Sequence, residues 1–353
     1  MKFKTLYLLA ILFWHDALYA KNCFDSLSKS LIQTEYAQRF NAYKLKDAHI
    51  LELENQHLWI SKNDSPCPEF LSFNPTSDKL ASLSSTHIGY LQEINALNFL
   101  VAVGSKTSIY NQQVREKISQ GKVMELGVIP SKERLLLSGA QLLLSDDFMQ
   151  VNNSPIKSVN IFDHYESDPL ARVEWLVVFG ILTGKKDLAM SRIKEIKENF
   201  QALEDRKENK NLKSFITGSF RGGSFEASGS KSALVGMIVR AGGKYHFYDQ
   251  NDSERIKRLR GEEVLLGLSE DIAYWFPLSL HTSKKELLSE SRYYKLSKAF
   301  KNAEIYNFNK KMRDDGANEF WERSPVRPDK VLSDLVCLFH RNKCEFHWLE
   351  KLK

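Results

Sequence analysis

DPLARVEWLVVFGILTGKKDLAMSRIKEIKENFQALEDRKENK, residues 168–210, decides how the chain is put together. Asp168 is a capping residue, and Pro169 suits a first helical turn, where its missing N–H leaves nothing unpaired. A first helix is expected to run to Gly180 or Thr183, with Leu170, Val173, Leu176, Val177 and Ile181 on its apolar side. Gly184 ends it. From Lys185 a second helix carries Ala189, Ile193, Ile196, Phe200 and Leu203 at alternating spacings of four and three, a narrow apolar stripe on a charged rod. A helix of roughly 24 residues spans roughly 36 Å, more than the width of a small lobe. Residues 185–210 therefore read as a beam across two lobes.

The alternation on either side of the beam supports this. From Lys79, LASLSSTHIGYLQEINALNFLVAVG reads as strand (Leu80 to Leu83), turn, helix (Thr86 to Leu97) and strand (Leu100 to Val103). Lys132 to Ser138 reads as a helix, with strands at Gln141 to Ser145 and Ser158 to Phe162. After the beam the pattern restarts: strands at Lys213 to Thr217, Ile272 to Phe276 and Glu304 to Asn307, helices at Ala233 to Arg240, Glu262 to Leu268, Lys295 to Ala299 and Pro328 to about His340. Strands alternating with helices imply parallel sheets with loops at the strand C-termini open to a ligand. The fold class is thus α/β, two lobes with mainly parallel sheets joined by one long helix. The lobes are expected at 79–184 and 211–353, behind a leader at 21–78 with short strands (Ala48 to Leu53, His57 to Ser61).

The 353 residues, with 42% hydrophobic and 27% charged content, suffice for two ordinary cores. A net charge of +6 spread along the chain, with no basic block interleaved with aromatics, speaks against nucleic acid as a partner. Met1 to Lys4 is basic, Thr5 to Trp14 is apolar, and Ala20 offers a cleavage point: residues 1–20 read as a secretory signal peptide, too short to span a membrane. Cys23 invites a lipid-attachment reading, but Ala20-Lys21-Asn22 lacks the small residues such a site needs. Four cysteines in an exported chain suggest disulfides. Three pairings are possible, and Cys23–Cys67 with Cys337–Cys344 is favoured. The second pair has a rival, because Cys337, His340, Cys344 and His347 have the spacing of metal ligands. On a continuous helix the two cysteines would stand about 10 Å apart, so a disulfide requires the helix to end near His340.

Chemistry is hard to assemble from these residues. The glycine-rich stretch Gly218 to Ser230 matches neither phosphate-binding pattern; it reads as a loop at a strand end that brings backbone, Arg221 and Phe225 to a ligand. Ser84 and Ser85 with His87 offer the one hydrolase-like set, without a nucleophile elbow. Tyr110, Phe148, Tyr165, Arg221, Phe225, Tyr274, Trp275 and Trp321 suit a broad, partly apolar ligand bearing oxygen functions. Arg172 and Arg313 are further candidates for lining a cationic cleft.

Several blocks resemble one family: LASLSSTHIGYLQEINALNFLVAVG, IPSKERLLLSGAQLLLSDD, HYESDPLARVEWLVVFGILTGKKDLA, IYNFNKK and FWERSPVRPDKVLSDLVCLFH. Across residues 78–345 the chain resembles the periplasmic substrate-binding proteins of ABC importers for iron–siderophore complexes, haem and cobalamin, in the class whose lobes are joined by one rigid helix. Ser138-Gly139-Ala140-Gln141 departs from that family's usual Lys-Pro-Asp turn. The resemblance implies a binding protein and no enzyme, without a resident cofactor or metal. It implies capture of a metal chelate (ferric siderophore first, cobalamin second, haem third) and delivery by a periplasmic monomer to an inner-membrane permease. It also implies that the hydroxyl-rich turn with Ser85 and Thr86 faces the ligand, and that Glu133 and Glu262, with Glu263 as neighbour, are the docking carboxylates.

Overall fold

The computed structural model describes residues 23–54, 56–146, 151, 153–205, 212–250, 256–260, 268, 271–340 and 343–353. The signal peptide expected at residues 1–20, Phe148, residues 262–267 of the helix expected at Glu262 to Leu268 and the end of the expected beam lie outside them.

Short alternating strands open the described chain. β1 (Ser30–Leu31), β2 (Asn41–Lys44), β3 (His49–Leu53), β4 (Gln56–Ile60) and β5 (Leu71–Phe73) form a sheet in that order, antiparallel except for the β4–β5 pair. Cys23 and Cys67 are disulfide-bonded beside it. Two buried carboxylates fasten this sheet to the helices that follow. Glu174 accepts the backbone N–H groups of Glu35, Tyr36 and Ala37 at 2.7–2.8 Å. Glu166 accepts those of Gln38 and Arg39 at 3.0 Å and the Trp175 indole at 3.2 Å. Charge-assisted bonds of this kind supply the partners that a buried carboxylate needs.

The α/β alternation then begins. β6 (Leu80–Ser82), α1 (Ser85–Glu93), β7 (Leu100–Val103), α2 (Gln112–Ser119), β8 (Met124–Glu125), α3 (Lys132–Leu137), β9 (Leu142–Ser145) and β10 (Lys157–Asn160) give a five-stranded sheet ordered β10-β9-β6-β7-β8. Its described pairs are all parallel. β9 is buried at every residue, as expected for a strand covered on both faces.

Next come α4 (Pro169–Glu174), α5 (Leu176–Leu182) and α6 (Lys186–Glu204). Asp168 caps α4 through its side chain on Leu170 N–H, with Pro169 at the first turn, as the sequence predicts. The single helix expected here is two, because the chain steps out of register at Trp175, whose N–H bonds the Arg172 carbonyl. Gly184, at φ +66°, makes the turn into α6, a backbone region that favours glycine. On α6 the stripe Ala189, Ile193, Ile196 and Phe200 is buried and Leu203 partly so.

The second half carries β11 (Lys213–Thr217), β12 (Ser219–Arg221), β13 (Ser224–Ser228), α7 (Ala233–Arg240), β14 (Gly243–Tyr245), β15 (Ile256–Arg260), β16 (Tyr274–Phe276), α8 (Lys284–Glu290), α9 (Lys298–Asn302), β17 (Glu304–Asn307), α10 (Glu319–Arg323), α11 (Pro328–His340) and β18 (Glu350–Lys351). The sheet order is β14-β11-β16-β17-β18, parallel except for β17–β18. The glycine-rich stretch read as a loop is instead the antiparallel hairpin β12–β13, extended by β15. Gly222 and Gly223, both at positive φ, form its two-residue turn. α11 ends at His340, and Cys337 and Cys344 are bonded with Cα atoms 5.8 Å apart. Oxidised to one another, they cannot serve as thiolate ligands, so the metal reading of the Cys/His spacing fails.

α6 packs on α4 and α5 from its own side of the chain and on α11 from the other, so one apolar cluster runs through both halves. Ile196 and Phe200, the large side chains of the stripe with no solvent exposure, each contribute roughly 1.5–3 kcal/mol. Ile196→Asp puts an unpaired carboxylate at a position with no solvent exposure, and is expected to destabilise the protein by about 3 kcal/mol or more. A melting curve superimposable on the wild type would show the stripe is not needed.

Candidate functional site

In the first half, Ser82 pairs with Val103 and Leu144, and Ser145 pairs with Asn160, all in parallel register. The loops after β6, β7, β8, β9 and β10 therefore leave along one edge. In the second half, Thr217 pairs with Phe276 and Trp275 with Ile305, so the loops after β11, β16 and β17 also share an edge. The segment after β17 joins the two edges. Arg313 donates to the Tyr110 carbonyl at 3.1 Å and to Gln112 Oε1 at 2.5 Å, and its guanidinium lies 5.2 Å from the Tyr110 ring centre. Arg115 and Asp315 pair at 2.5 Å. Thus the C-terminal edges of both parallel sheets meet, which is where open α/β sheets bind ligands.

Behind these bonds α10 crosses α1 so closely that a Cβ on Gly89 would stand 2.1 Å from the Glu322 carbonyl oxygen. Glu322 accepts the N–H groups of Tyr110 and Asn111 at 2.8 and 3.2 Å. Burial pushes its pKa up to about 7, against those bonds and the Arg323 charge. Glu93 takes Arg323 at 2.5 Å and Arg327 at 3.5 Å. None of these carboxylates announces itself in the sequence, because their partners lie more than 200 residues away.

The first half's rim is built at the start of α1. Ser84, at extended φ/ψ, leads into the helix without capping it; its hydroxyl lies 2.9 Å from that of Thr86. Ser85 and Thr86 are half-buried at the same turn. The hydrolase-like grouping does not form: His87 Nδ1 is 2.9 Å from Ser82 Oγ, which donates to the Ser84 carbonyl, and both side chains are fully buried. Burial holds His87 down to about 4, with Asp163 and Asp146 opposing, so the ring is neutral near pH 7. Tyr165 projects from the short 3-10 turn Asp163–Tyr165 beyond β10, and the Arg39 guanidinium lies 5.7 Å from its ring centre. Arg39, fixed by Glu166, is a rim residue that sequence reasoning missed. Arg172 is not free for a ligand, since it pairs with Asp163 at 3.1 Å; Arg313 is likewise taken by the bond to Tyr110.

On the second half, Arg221 stands exposed at the hairpin tip and donates to the Leu278 carbonyl at 3.2 Å, which puts it at the edge where β16 ends. Asn307 and Asn309 hold that loop through the Ser279 and His281 carbonyls at 2.8–3.1 Å. Trp321, on α10, is 42% exposed. Three other candidates pack inward, two of them in the core and Tyr274 partly buried against it. Phe225 and Trp275 have no solvent exposure, and the Trp275 indole donates to the Gly218 carbonyl at 2.8 Å. Tyr274 begins β16, at the opposite end from the rim, packed on Tyr306 and Phe339. Exposed apolar residues nevertheless gather past strand C-termini: Val128 and Ile129 (90% exposed) after β8, Tyr248 after β14, Leu280 after β16. Glu133 lies exposed in the first turn of α3, capped by Ser131, where its carboxyl pKa is lowered by backbone and Ser131 hydrogen bonds. Glu262 lies outside the described residues.

No protein-family model matches the chain. An uncharacterized lipoprotein of Methanocaldococcus jannaschii is 18% identical over 326 residues, covering 85% of this chain and 76% of the relative. Among solved structures, a periplasmic haem-binding protein from Pseudomonas aeruginosa superposes with TM-score 0.56 at 13% identity, covering 78% of this chain and 98% of that one. A possible iron-binding periplasmic solute-binding protein from Staphylococcus epidermidis gives 0.55 at 15%, with 74% and 98% covered. An Fe3+-hydroxamate transport protein from Saccharomonospora viridis gives 0.55 at 14%, with 74% and 93% covered. The chain has the fold of the two-lobed periplasmic binding proteins.

Glu322 generates a pH prediction. With its folded pKa raised above the unfolded value, its contribution is complete below about pH 4.5 and is lost as pH rises through about 7. Urea unfolding of the wild type and of Glu322→Gln at pH 5 and pH 8 should show the wild type losing more stability on the alkaline side, by up to roughly 3 kcal/mol. Equal losses would mean the carboxyl is ionised in the folded protein.

Proposed function

We propose that this chain is the exported substrate-binding component of an ABC importer, capturing a metal chelate between its halves and delivering it to an inner-membrane permease. The observation that carries the reading is the rim: two parallel sheets meet at their C-terminal edges, and exposed apolar side chains there alternate with the guanidiniums of Arg39 and Arg221. A ferric siderophore, broad and partly apolar with anionic oxygens, matches both features and stands first. Cobalamin, which would use the aromatic groups more than the cations, stands second and haem third.

Arg221 and Arg39 would take the chelate's oxygens through charge-assisted bonds, and Trp321, Tyr165 and Ile129 would cover its apolar faces. Ser85 and Thr86 supply hydroxyls at the first turn of α1. Binding proceeds without a covalent step. Delivery to a soluble compartment outside the inner membrane fits the signal-like N-terminus, and Cys23, held by Cys67, has no free thiol for a lipid. Titrating the mature protein with ferric siderophores, cobalamin and haem, followed by absorbance and tryptophan quenching, tests this. Saturable binding of a ferric siderophore at one per chain, weakened about ten-fold or more by Arg221→Ala as one lost charge-assisted bond implies, is the expected result. Failure of all three ligand classes to bind would end the proposal.

Glu133 and Glu262 are proposed as the permease contacts, one in each half. Exposed carboxylates meeting permease arginines would steer encounter and add charge-assisted bonds. The double change Glu133→Ala, Glu262→Ala should leave folding and ligand affinity intact while uptake in cells fails. Uptake at the normal rate would show that these carboxylates are not the contacts; Glu263 would then be the next residue to replace.

A further inference from the structure

A cavity of about 880 Å3 lies between the N-terminal sheet and the turn joining α5 to α6. It is not part of the cleft. Asn95, on its wall, belongs to the turn leading into the N-terminal end of β7, so the cavity opens at the opposite edge of the parallel sheet from the ligand rim. Three elements bring ammonium groups to it: the β2–β3 turn with Lys44 and Lys46, the loop after β4 with Lys62, and the start of α6 with Lys185 and Lys186. Against these five lysines stand two aspartates, Asp47 and Asp187. The Asp187 side chain points to solvent and sits 3.4 Å from Lys186. Lys185 is tied to the Asn95 carbonyl. Lys44, Lys46 and Lys62 make no side-chain hydrogen bond or ion pair with a described residue.

Two further features face the same space. Lys185, at the N-cap of the 19-residue α6, places no side-chain acceptor on the first-turn N–H groups, and the carboxylate of that turn, Asp187, is turned to solvent. His49 is among the lining residues, but its Nε2 is sealed from solvent and has no hydrogen-bond partner among the described residues.

We propose that this cavity is a second binding site, for a phosphate-bearing polyanion. Several phosphate or comparable anionic groups satisfy the lysines as point charges and the helix N-terminus as a backbone anion cradle. The volume accommodates more than one such group. Free phosphate compounds and phospholipid headgroups share this chemistry. His49 adds a proton linkage. Burial and then the charges of Lys186 and Lys44 lower its pKa, with Asp187 opposing; Lys46, Lys62, Lys185 and Asp47 are the other charged groups around the cavity. An anion that neutralises the lysines lets the imidazole take up a proton, so binding tightens as pH falls.

The test uses the mature full chain at low ionic strength. Isothermal titration with sodium tripolyphosphate should show one saturable site, weakened ten-fold or more in the triple variant Lys44→Gln, Lys62→Gln, Lys186→Gln. The gain in affinity between about pH 8 and pH 6 should shrink in His49→Gln, the probe's own titration being common to both proteins. In parallel, co-sedimentation with phosphatidylglycerol-containing vesicles, against phosphatidylcholine alone, separates the sources. Sedimentation that the triple variant loses assigns a lipid headgroup; titration without sedimentation assigns a soluble phosphate compound. Absence of binding to both probes, or binding equal in the triple variant, overturns the proposal. Because the cavity and the cleft lie on opposite edges, ferric siderophore affinity should be the same in wild type and triple variant, and this test stands whatever the cleft proves to hold.

Discussion

Burial of one apolar stripe governs this structure. Ala189, Ile193, Ile196 and Phe200 lie on a single face of α6, and that face is covered by α4 and α5 on one side and α11 on the other. A narrow stripe cannot be satisfied by either half alone without leaving part of it wet. The helix therefore fixes the separation and relative attitude of the two parallel sheets. Gly180 shows how tight the packing is: a Cβ there would come within 2.7 Å of Ala189 Cβ. Substituting it would pry α5 from α6 and shift everything α6 carries.

The buried charges do a different job. Apolar packing tolerates sliding, whereas a carboxylate with two or three defined donors does not. Glu174 and Glu166 pin residues 35–39 to the helical layer, and this in turn sets Arg39 beside Tyr165. Glu322 and Glu93 pin α10 and the start of α11 to α1 and the loop after β7. Each removed carboxylate would leave several backbone N–H groups or a guanidinium without a partner, so the register of the halves is specified as well as stabilised.

The elements that could be read from sequence are those whose cause is local. The stripe of α6, the capped start at Asp168 and Pro169, and the buried run of β9 all follow from periodicity or one residue's conformational preference. The disulfide pairing was favoured from the expected export of the chain, but the spacing around Cys337 also admitted metal ligands until α11 was seen to end at His340. The hairpin at Ser219–Ser228 was hidden because its glycines, read one by one, signal a loop; only the pairing with β15, some thirty residues on, makes them a turn and a close approach. Phe225 and Trp275 were hidden for the converse reason. Aromatics near a strand end look available to a ligand, but their position on the inward face is set by tertiary register. Arg39 had no local signal at all, since its place depends on a carboxylate 127 residues away.

The arrangement of these ties also limits how the cleft can change. Arg115–Asp315, Arg313–Tyr110 and the Glu322 and Glu93 bonds hold the loop after β17 against the loop after β7. The shared helix holds the halves behind. A wide hinge opening would have to break several charge-assisted bonds at once, two of them around buried carboxylates, at a cost well above that of rotating exposed side chains. On the proposed reading, adaptation to a ligand would fall instead to Arg221 at the hairpin tip, Trp321, Tyr165 and the loop bearing Val128 and Ile129. All of these are exposed. A rigid frame with adjustable rim residues suits a ligand that is itself large and stiff, because little ordering entropy is then lost on either side when it binds.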